Sequence, residues 1–367
     1  MAKIKALVVD DSAFMRKLVS DFLSEHSAIE VIGTARNGED ALKKWKSLKP
    51  DVITLDVEMP VLNGLEVLKR IMKEQPIPVV MLSSTTKEGA DTTLQAIQAG
   101  AVDFVAKPSG AISVDLHKVK LELIEKVLSA SKANLSKLGA TNEHKRIVPL
   151  ENDRDRTITT EKKLPNKRFF SGNQREANSK NIVCIGTSTG GPRALQQVLP
   201  LLPKEFDAPI LVVQHMPAGF TKSLANRLDS LSEITVKEAE DGELIQKGIA
   251  YIAPGGWHLE VKSVGTSLAI SLSQSAPRNG HRPSVDVLFE SMGRIKNFTK
   301  VAVLMTGMGT DGTKGLIEMK KNGYVRAIAE SQETSIVFGM PKSAIATNMV
   351  DEVMNVENIA DSIMKYI

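Results

Sequence analysis

The chain of 367 residues is long for one hydrophobic core, so two domains are expected. Its composition is 42% hydrophobic and 25% charged, and no apolar run nears the roughly 18 residues of a membrane span, which excludes a helical membrane protein. The net charge of +4 invites a nucleic-acid partner, but residues 135–180 alone hold eleven Lys/Arg against six Asp/Glu, a net +5, so the remainder sits at −1 and presents no basic face.

MAKIKALVVDDS lacks the long apolar stretch of a secretory signal. The single cysteine, Cys184, excludes an internal disulfide, fits a reducing cytoplasm, and reads as a buried, inert thiol within its apolar run.

Residues 3–130 alternate strand and helix patterns. IKALVVDD is an apolar run closed by two acids, and AFMRKLVSDFL has helical spacing. IEVIGTA, the helical EDALKKWKSL, DVITLD, the helical LEVLKRIMK, IPVVMLSS, the helical EGADTTLQAIQAG and VDFVAKP follow, then an amphipathic stretch near residues 115–132. Continuous apolar strands separated by helices predict a parallel sheet covered on both faces, and five βα units suit the flavodoxin-like order 2-1-3-4-5.

Over residues 135–180 the periodicity fails. Polar residues dominate and Pro149 and Pro165 interrupt, so the segment reads as a flexible polar linker within which RFFSG could dock locally. From Asn181 the alternation resumes. NIVCIG, APILVVQH, ITVKEAE, VAVLMTG and VRAIAES read as strands, and RALQQVLPLL, FTKSLANRLDSL, SVDVLFESMGRI and TKGLIEMKKNG as helices. GIAYIAPGGWHLEVK and SLAISLS suggest an inserted hairpin with Gly255-Gly256 at a turn. The expected architecture is α/β: a (βα)5 domain over 1–134, a linker over 135–180, and a doubly wound domain with a mostly parallel sheet over 181–367.

In open α/β sheets the functional crevice lies beyond the carboxyl ends of the strands. In the first half those ends carry Asp10 and Asp11, Asp56, Ser83 and Ser84, and Lys107. Strands one and three are neighbours in the assumed order, so three carboxylates converge and repel. A pKa must rise or a cation must bind, and oxygen ligands beside an exchangeable phosphate favour Mg2+. Lys107 would neutralise an added phosphate, and Ser83 could hydrogen-bond it. A lone aspartate at such a place commonly just caps a helix; the full set at these strand ends argues for more.

NIVCIGTSTGGPRAL carries G-x-S-x-G between a strand and a helix, which fits a nucleophile on a sharp turn and equally a phosphate cradle. A serine needs a base, and the base an orienting acid. Of six histidines, His215 alone ends an apolar strand; His258 and His281 sit in loop-like contexts, His26 and His117 in the first half, and His144 in the linker, where solvated or satisfied imidazoles are the plain reading. Asp311 lies just past a strand, where its plain reading is an N-cap on the next helix. Ser188, His215 and Asp311 thus end three strands of one sheet, in a different order from the Ser, Asp, His of α/β-hydrolases. The alternatives are weaker. A phosphate- or nucleotide-binding loop would lack the lysine of G-x-x-x-x-G-K-[ST] and leave His215 and Asp311 idle. A transcriptional regulator would need a second half that is shorter, basic and less rich in strands.

Through VVDDS, LDVEMPVLNGLEVL, VVMLSS and AGAVDFVAKP the first half resembles the receiver domain of two-component response regulators. That resemblance implies Asp56 as phospho-acceptor, and Mg2+ held by Asp10, Asp11, Asp56 and the Glu58 carbonyl. It also implies Ser83 and Phe104 as switch residues, Lys107 as phosphate clamp, and a cis Lys107–Pro108 bond.

GTSTGGPRAL, QHMP, APGGWH, RPSVD and TGMGTDG together resemble the catalytic domain of bacterial chemotaxis protein-glutamate methylesterases. This implies hydrolysis of glutamate 5-O-methyl esters, and deamidation of selected glutamines, on methyl-accepting chemoreceptors, under control of a chemotaxis histidine kinase. It implies Ser188 as nucleophile, His215 as proton carrier, Asp311 as its orienter, and Thr189 and Met308 beside the oxyanion, with no metal needed for hydrolysis. A cytoplasmic protein that neither binds nucleic acid nor inserts in membranes is expected.

Overall fold

The structure, a computed structural model, describes residues 2–108, 113–135 and 180–367. The first domain runs β1 (Ile4–Val9), α1 (Ala13–Ser24), β2 (Ile29–Ala35), α2 (Gly38–Leu48), β3 (Val52–Asp56), α3 (Gly64–Glu74), β4 (Val79–Ser83), α4 (Lys87–Gln98), β5 (Asp103–Ala106) and α5 (Ser113–Ala130). Its strands pair in parallel in the order β2-β1-β3-β4-β5, as the pattern predicts. β3 and β4 are buried along their whole length, as a sheet covered by helices on both faces requires. The helices start at residues that accept from their own first turns: Ser12 from Met15, Asn37 from Asp40, Asn63 from Glu66 and Thr86 from Gly89, each such cap contributing about 1 kcal/mol.

The second domain continues with β6 (Lys180–Thr187), α6 (Gly191–Val198), β7 (Ile210–Gln214), α7 (Phe220–Asp229), β8 (Thr235–Glu238), β9 (Ile249–Ile252), β10 (His258–Val264), β11 (Ser267–Ser273), α8 (Val285–Gly293), β12 (Phe298–Leu304), α9 (Thr313–Lys321), β13 (Val325–Glu330), α10 (Met340–Ala346), β14 (Glu352–Met354) and α11 (Val356–Met364). Seven parallel strands lie in the order β14-β13-β12-β6-β7-β9-β8. The chain leaves β6 toward β7 on one side and returns as β12 on the other, so the topological switch point, where such sheets place their sites, is the carboxyl end of β6.

Two expectations about this region change. GIAYI belongs to the main sheet, where β9 pairs in parallel with both β7 and β8, because its apolar run is buried. The hairpin is β10 with β11, and it turns at Gly265-Thr266 between paired Val264 and Ser267; Gly255-Gly256 does form a turn, closed by Trp257 N–H on the Pro254 carbonyl, but it leads from the sheet into the hairpin. The pattern also passed over β14, α10 and α11. Of the stretch read as a linker, Leu135 packs against the first domain and Lys180 opens β6; the rest, RFFSG and His144 included, lies outside the described residues.

The two domains touch. One buried apolar cluster runs from the first domain into the second, and Phe104 of β5 stacks on Phe220 of α7 with ring centroids 4.5 Å apart. Ile336 of the second domain joins the other apolar face of the first, and its carbonyl accepts from Asn134 N–H.

Candidate active site

β6 ends at Thr187, and the chain turns at once. Gly190 has φ +81°, a backbone conformation that glycine adopts without strain. At Gly191, which opens α6, a Cβ would stand 2.0 Å from Gln214 Oε1. Gln214, the last residue of β7, locks the turn: its oxygen accepts from Thr187 Oγ1 at 2.6 Å, and its nitrogen donates to the carbonyls of Ser188 and His215 at 3.0 and 3.1 Å. From the other side Ser188 N–H donates to the Thr306 carbonyl at 3.0 Å, just past β12. A Cβ on the next residue, Gly307, would lie 2.8 Å from Ser188 Cβ. The turn is therefore held by both neighbouring strands.

β12, β6 and β7 are adjacent, so residues just beyond their ends meet. His215 Nδ1 lies 3.1 Å from Ser188 Oγ, and His215 Nε2 lies 2.8 Å from Asp311 Oδ2. The Asp311 carboxylate is buried and also accepts from Val285 N–H (2.7 Å), Asp286 N–H (3.1 Å), Ser284 Oγ (2.8 Å) and Asn279 Nδ2 (2.9 Å). Burial alone would raise its pKa. The hydrogen bond and charge of His215, with the Val285 and Ser284 donors, outweigh burial and hold it well below the usual carboxylate range. Asp311 does cap a helix, but that helix is α8; position Gly312 precedes α9 and makes no side-chain cap. Thr189 is buried and Met308, after Gly307, is partly buried, so the turn and the Gly307–Met308 segment flank Ser188.

His258 keeps its plain reading as a satisfied imidazole, though on a strand and not in a loop, and His281 departs from it. His258 opens β10, fully buried, and its Nε2 meets the Ala276 carbonyl. His281 stacks on His215, centroids 3.9 Å apart and planes 14° from parallel. Burial and the neighbouring His215 push its pKa down to about 3, so it adds no positive charge beside His215. Only its arginine-, asparagine- and proline-rich neighbourhood, RNGHRPS, sets His281 apart in the sequence, and this does not place it over His215.

At the strand ends of the first domain, Asp10, Asp11 and Asp56 bring ligand oxygens within 4.8 Å of one another, with Asp10 and Asp56 buried and Asp11 exposed. Lys107 Nζ lies 2.9 Å from Asp10 and 2.8 Å from Asp56. Burial nevertheless pushes Asp56 up to about 6, with the charge of Asp10 adding to the rise. Its Oδ2 is buried without a hydrogen-bond partner among the described residues, a pre-formed position for a hard cation, so the donor set fits Mg2+. Glu58 N–H donates to Asp56 Oδ1 at 3.2 Å, placing that residue beside the cluster. The Ser83 hydroxyl is turned to the Gly89 carbonyl at 3.0 Å. The Lys107–Pro108 bond is trans, contrary to expectation, and the one cis bond among the described residues is Arg282–Pro283. Trans is the intrinsic X–Pro preference, by about 0.5–1 kcal/mol, and Lys107 reaches both carboxylates from it.

The first domain meets the Ser188–Thr189 turn directly. Thr189 Oγ1 donates to Asp103 Oδ2 at 2.5 Å. Lys126 of α5 holds the other side of this contact, 3.2 Å from Asp103 Oδ1 and donating to the Phe104 carbonyl. α4 packs on α6 and α7.

Residues 183–363 match the family described as CheB methylesterase, and residues 6–141 match the response regulator receiver domain. The chain is 57% identical to a protein-glutamate methylesterase/protein-glutamine glutaminase of Geobacillus kaustophilus, over 100% of this chain and 99% of that one. It is 51% identical to the protein of that name from Bacillus subtilis, over 98% and 97% of the two chains. The crystal structure of the Thermotoga maritima CheB methylesterase catalytic domain is 50% identical, covers 51% of this chain and 98% of its own, and superposes with a TM-score of 0.50. With a receiver fold in front and a Ser-His-Asp row behind it, the chain belongs to the protein-glutamate methylesterase/protein-glutamine glutaminase family.

Proposed function

We propose that this protein hydrolyses glutamate 5-O-methyl esters on methyl-accepting chemoreceptors, and deamidates selected glutamines there, under control of its receiver domain. The observation that carries the reading is the hydrogen-bonded row Ser188–His215–Asp311 at the ends of three adjacent strands. It favours the nucleophile over the phosphate cradle, because a cradle gives neither His215 nor Asp311 a role.

Ser188 Oγ attacks the ester carbonyl while His215 Nδ1 takes its proton. The tetrahedral oxyanion is held by backbone N–H groups of Thr189 and Met308. Asp311, held ionised, keeps the imidazole oriented and stabilises the imidazolium. His215 then gives the proton to the leaving oxygen, and methanol departs. Water, deprotonated by His215, attacks the acyl-enzyme, and Ser188 recovers its proton as the glutamate carboxylate leaves. With a glutamine the same proton goes to nitrogen, and ammonia is released.

In the receiver, Asp56 accepts the phosphoryl group from a chemotaxis histidine kinase. Asp10, Asp11, Asp56 and the Glu58 carbonyl would hold Mg2+, which neutralises charge on the transferring phosphate. Lys107 clamps the product, while Ser83 turns from Gly89 toward it and Phe104 shifts with it. Phe104 stacks on Phe220, and its neighbour Asp103 holds Thr189, so that shift loosens the resting cover beside Ser188. Residues 1–134 serve as receiver, 135–180 as tether and 181–367 as catalytic domain. No helix among the described residues is long and apolar enough to cross a membrane, and we place the enzyme in the cytoplasm, acting on cytoplasmic receptor helices without nucleic acid. Receptor membranes carrying methyl-esterified glutamates, mixed with the protein and a small phosphodonor, should release methanol, and receptor glutamines should release ammonia. The absence of both products would overturn the reading.

A further inference from the structure

Glu330 closes β13, is 1% exposed, and touches no member of the Ser188–His215–Asp311 row. Its Oε2 accepts from Thr306 N–H at 2.8 Å, and its Oε1 accepts from Thr334 Oγ1 at 3.0 Å. Thr306 in turn meets the nucleophile turn twice. Its carbonyl accepts from Ser188 N–H at 3.0 Å, and its hydroxyl donates to the Thr189 carbonyl at 2.9 Å. One buried carboxylate thus anchors Thr306, the residue whose carbonyl and hydroxyl hold Ser188 and Thr189 of the turn.

Two further features argue that this is more than packing. A cavity of about 350 Å³ adjoins Glu330 and Thr306, lined also by Arg193, Thr334 and Glu357, so packing alone does not confine Thr306 on that side. Glu330 also forms no ion pair among the described residues, and an unpaired buried carboxylate is costly to keep. Burial, with Glu357 adding to the rise, pushes its pKa up to about 7 against the donations of Thr306 and Thr334. An apolar residue here would avoid that cost but leave Thr306 N–H unpaired.

We infer that Glu330 is a positioning residue for the hydrolysis: by anchoring Thr306 through its N–H it aims the Ser188 hydroxyl and the Thr189 N–H at the ester carbonyl. The inference rests on the proposed esterase reading. Glutamine can preserve the geometry, its oxygen accepting from Thr306 N–H and its nitrogen donating to Thr334 Oγ1. Alanine cannot.

The test is methanol release from methyl-esterified receptor membranes by the phosphorylated full chain, with thermal unfolding recorded for each variant. Misplacement of a reacting group by about 1 Å costs on the order of 100-fold. E330A should therefore lower kcat by roughly 10- to 100-fold with KM changed less than about twofold, while E330Q returns kcat to within about threefold of wild type. Wild-type kcat in folded E330A, or equal losses in E330Q and E330A, would overturn the proposal. Should E330A not fold, T306V carries the same expectation, because it leaves Glu330 in place and removes the hydroxyl held to the Thr189 carbonyl; full kcat in T306V would equally overturn it. A wild-type chain that released no methanol would instead indict the esterase reading.

Discussion

His215 Nε2 lies 2.8 Å from Asp311 Oδ2, and the same carboxylate accepts the N–H groups of Val285 and Asp286 at the start of α8. One side chain therefore holds the His215 imidazole and caps a core helix. In Asp311→Asn an amide NH2 must face donors that the carboxylate accepted. Turnover should fall by roughly 10⁴-fold, and thermal stability should fall with it, by about 1 kcal/mol or more for the lost cap alone. Methanol release and a melting curve on the same preparation check this; lost turnover with an unchanged melt would separate the two roles.

The strand ends were legible because an apolar run that stops at a chemistry-bearing residue states its position in a parallel sheet. Asp10, Asp56, Lys107, Ser188 and His215 stand at or next to such strand ends, and Asp311 follows β12 by a glycine-rich loop that starts after Leu304. What the pattern could not supply came from pairing between distant segments. GIAYI and the hairpin strands are similar apolar runs, and only the partner strands tell them apart. His281 and Asn279 reach the triad from a loop before α8, and Asp311 caps that helix across 26 residues of sequence. Glu330 reads as an ordinary strand-end acid until its bond to Thr306 is seen. The Asp103–Thr189 contact joins residues 86 apart, beyond any local periodicity.

Glu330 also makes stability depend on pH. Its folded pKa, about 7, lies above the unfolded value, so the folded state binds more protons between about pH 4.5 and 7 and loses stability as pH rises through that window. E330Q does not titrate. Denaturant unfolding should show wild type losing roughly 2–3 kcal/mol relative to E330Q between pH 5 and 8. Parallel pH curves for the two proteins would refute the assignment.

A small phosphodonor should phosphorylate the full chain once, at Asp56, and only with Mg2+ present. Asp56→Asn should take up no phosphate, and a chelator should reduce wild-type uptake to the same background. Undiminished incorporation in Asp56→Asn, read by intact mass, would move the acceptor elsewhere.

Asp103 and Phe104 hold the receiver against Thr189 and Phe220 beside the Ser188 turn. If this contact is the resting cover, a fragment of residues 180–367 should hydrolyse receptor esters faster than the unphosphorylated full chain, by roughly 5- to 150-fold for a coupling of 1–3 kcal/mol. The fragment should also ignore the phosphodonor. A folded fragment no faster than the resting chain would mean that the receiver acts by assisting catalysis or by recruiting the receptor.

The central claim is that Ser188, activated by His215, is the nucleophile. Its most direct test is methanol release by the phosphorylated Ser188→Ala full chain on methyl-esterified receptor membranes, beside wild type at equal concentration. The account predicts a loss of about 10⁶-fold in kcat, matched by His215→Ala and not deepened when the two are combined, because the pair acts as a unit. Methanol release by folded Ser188→Ala within tenfold of wild type would contradict it.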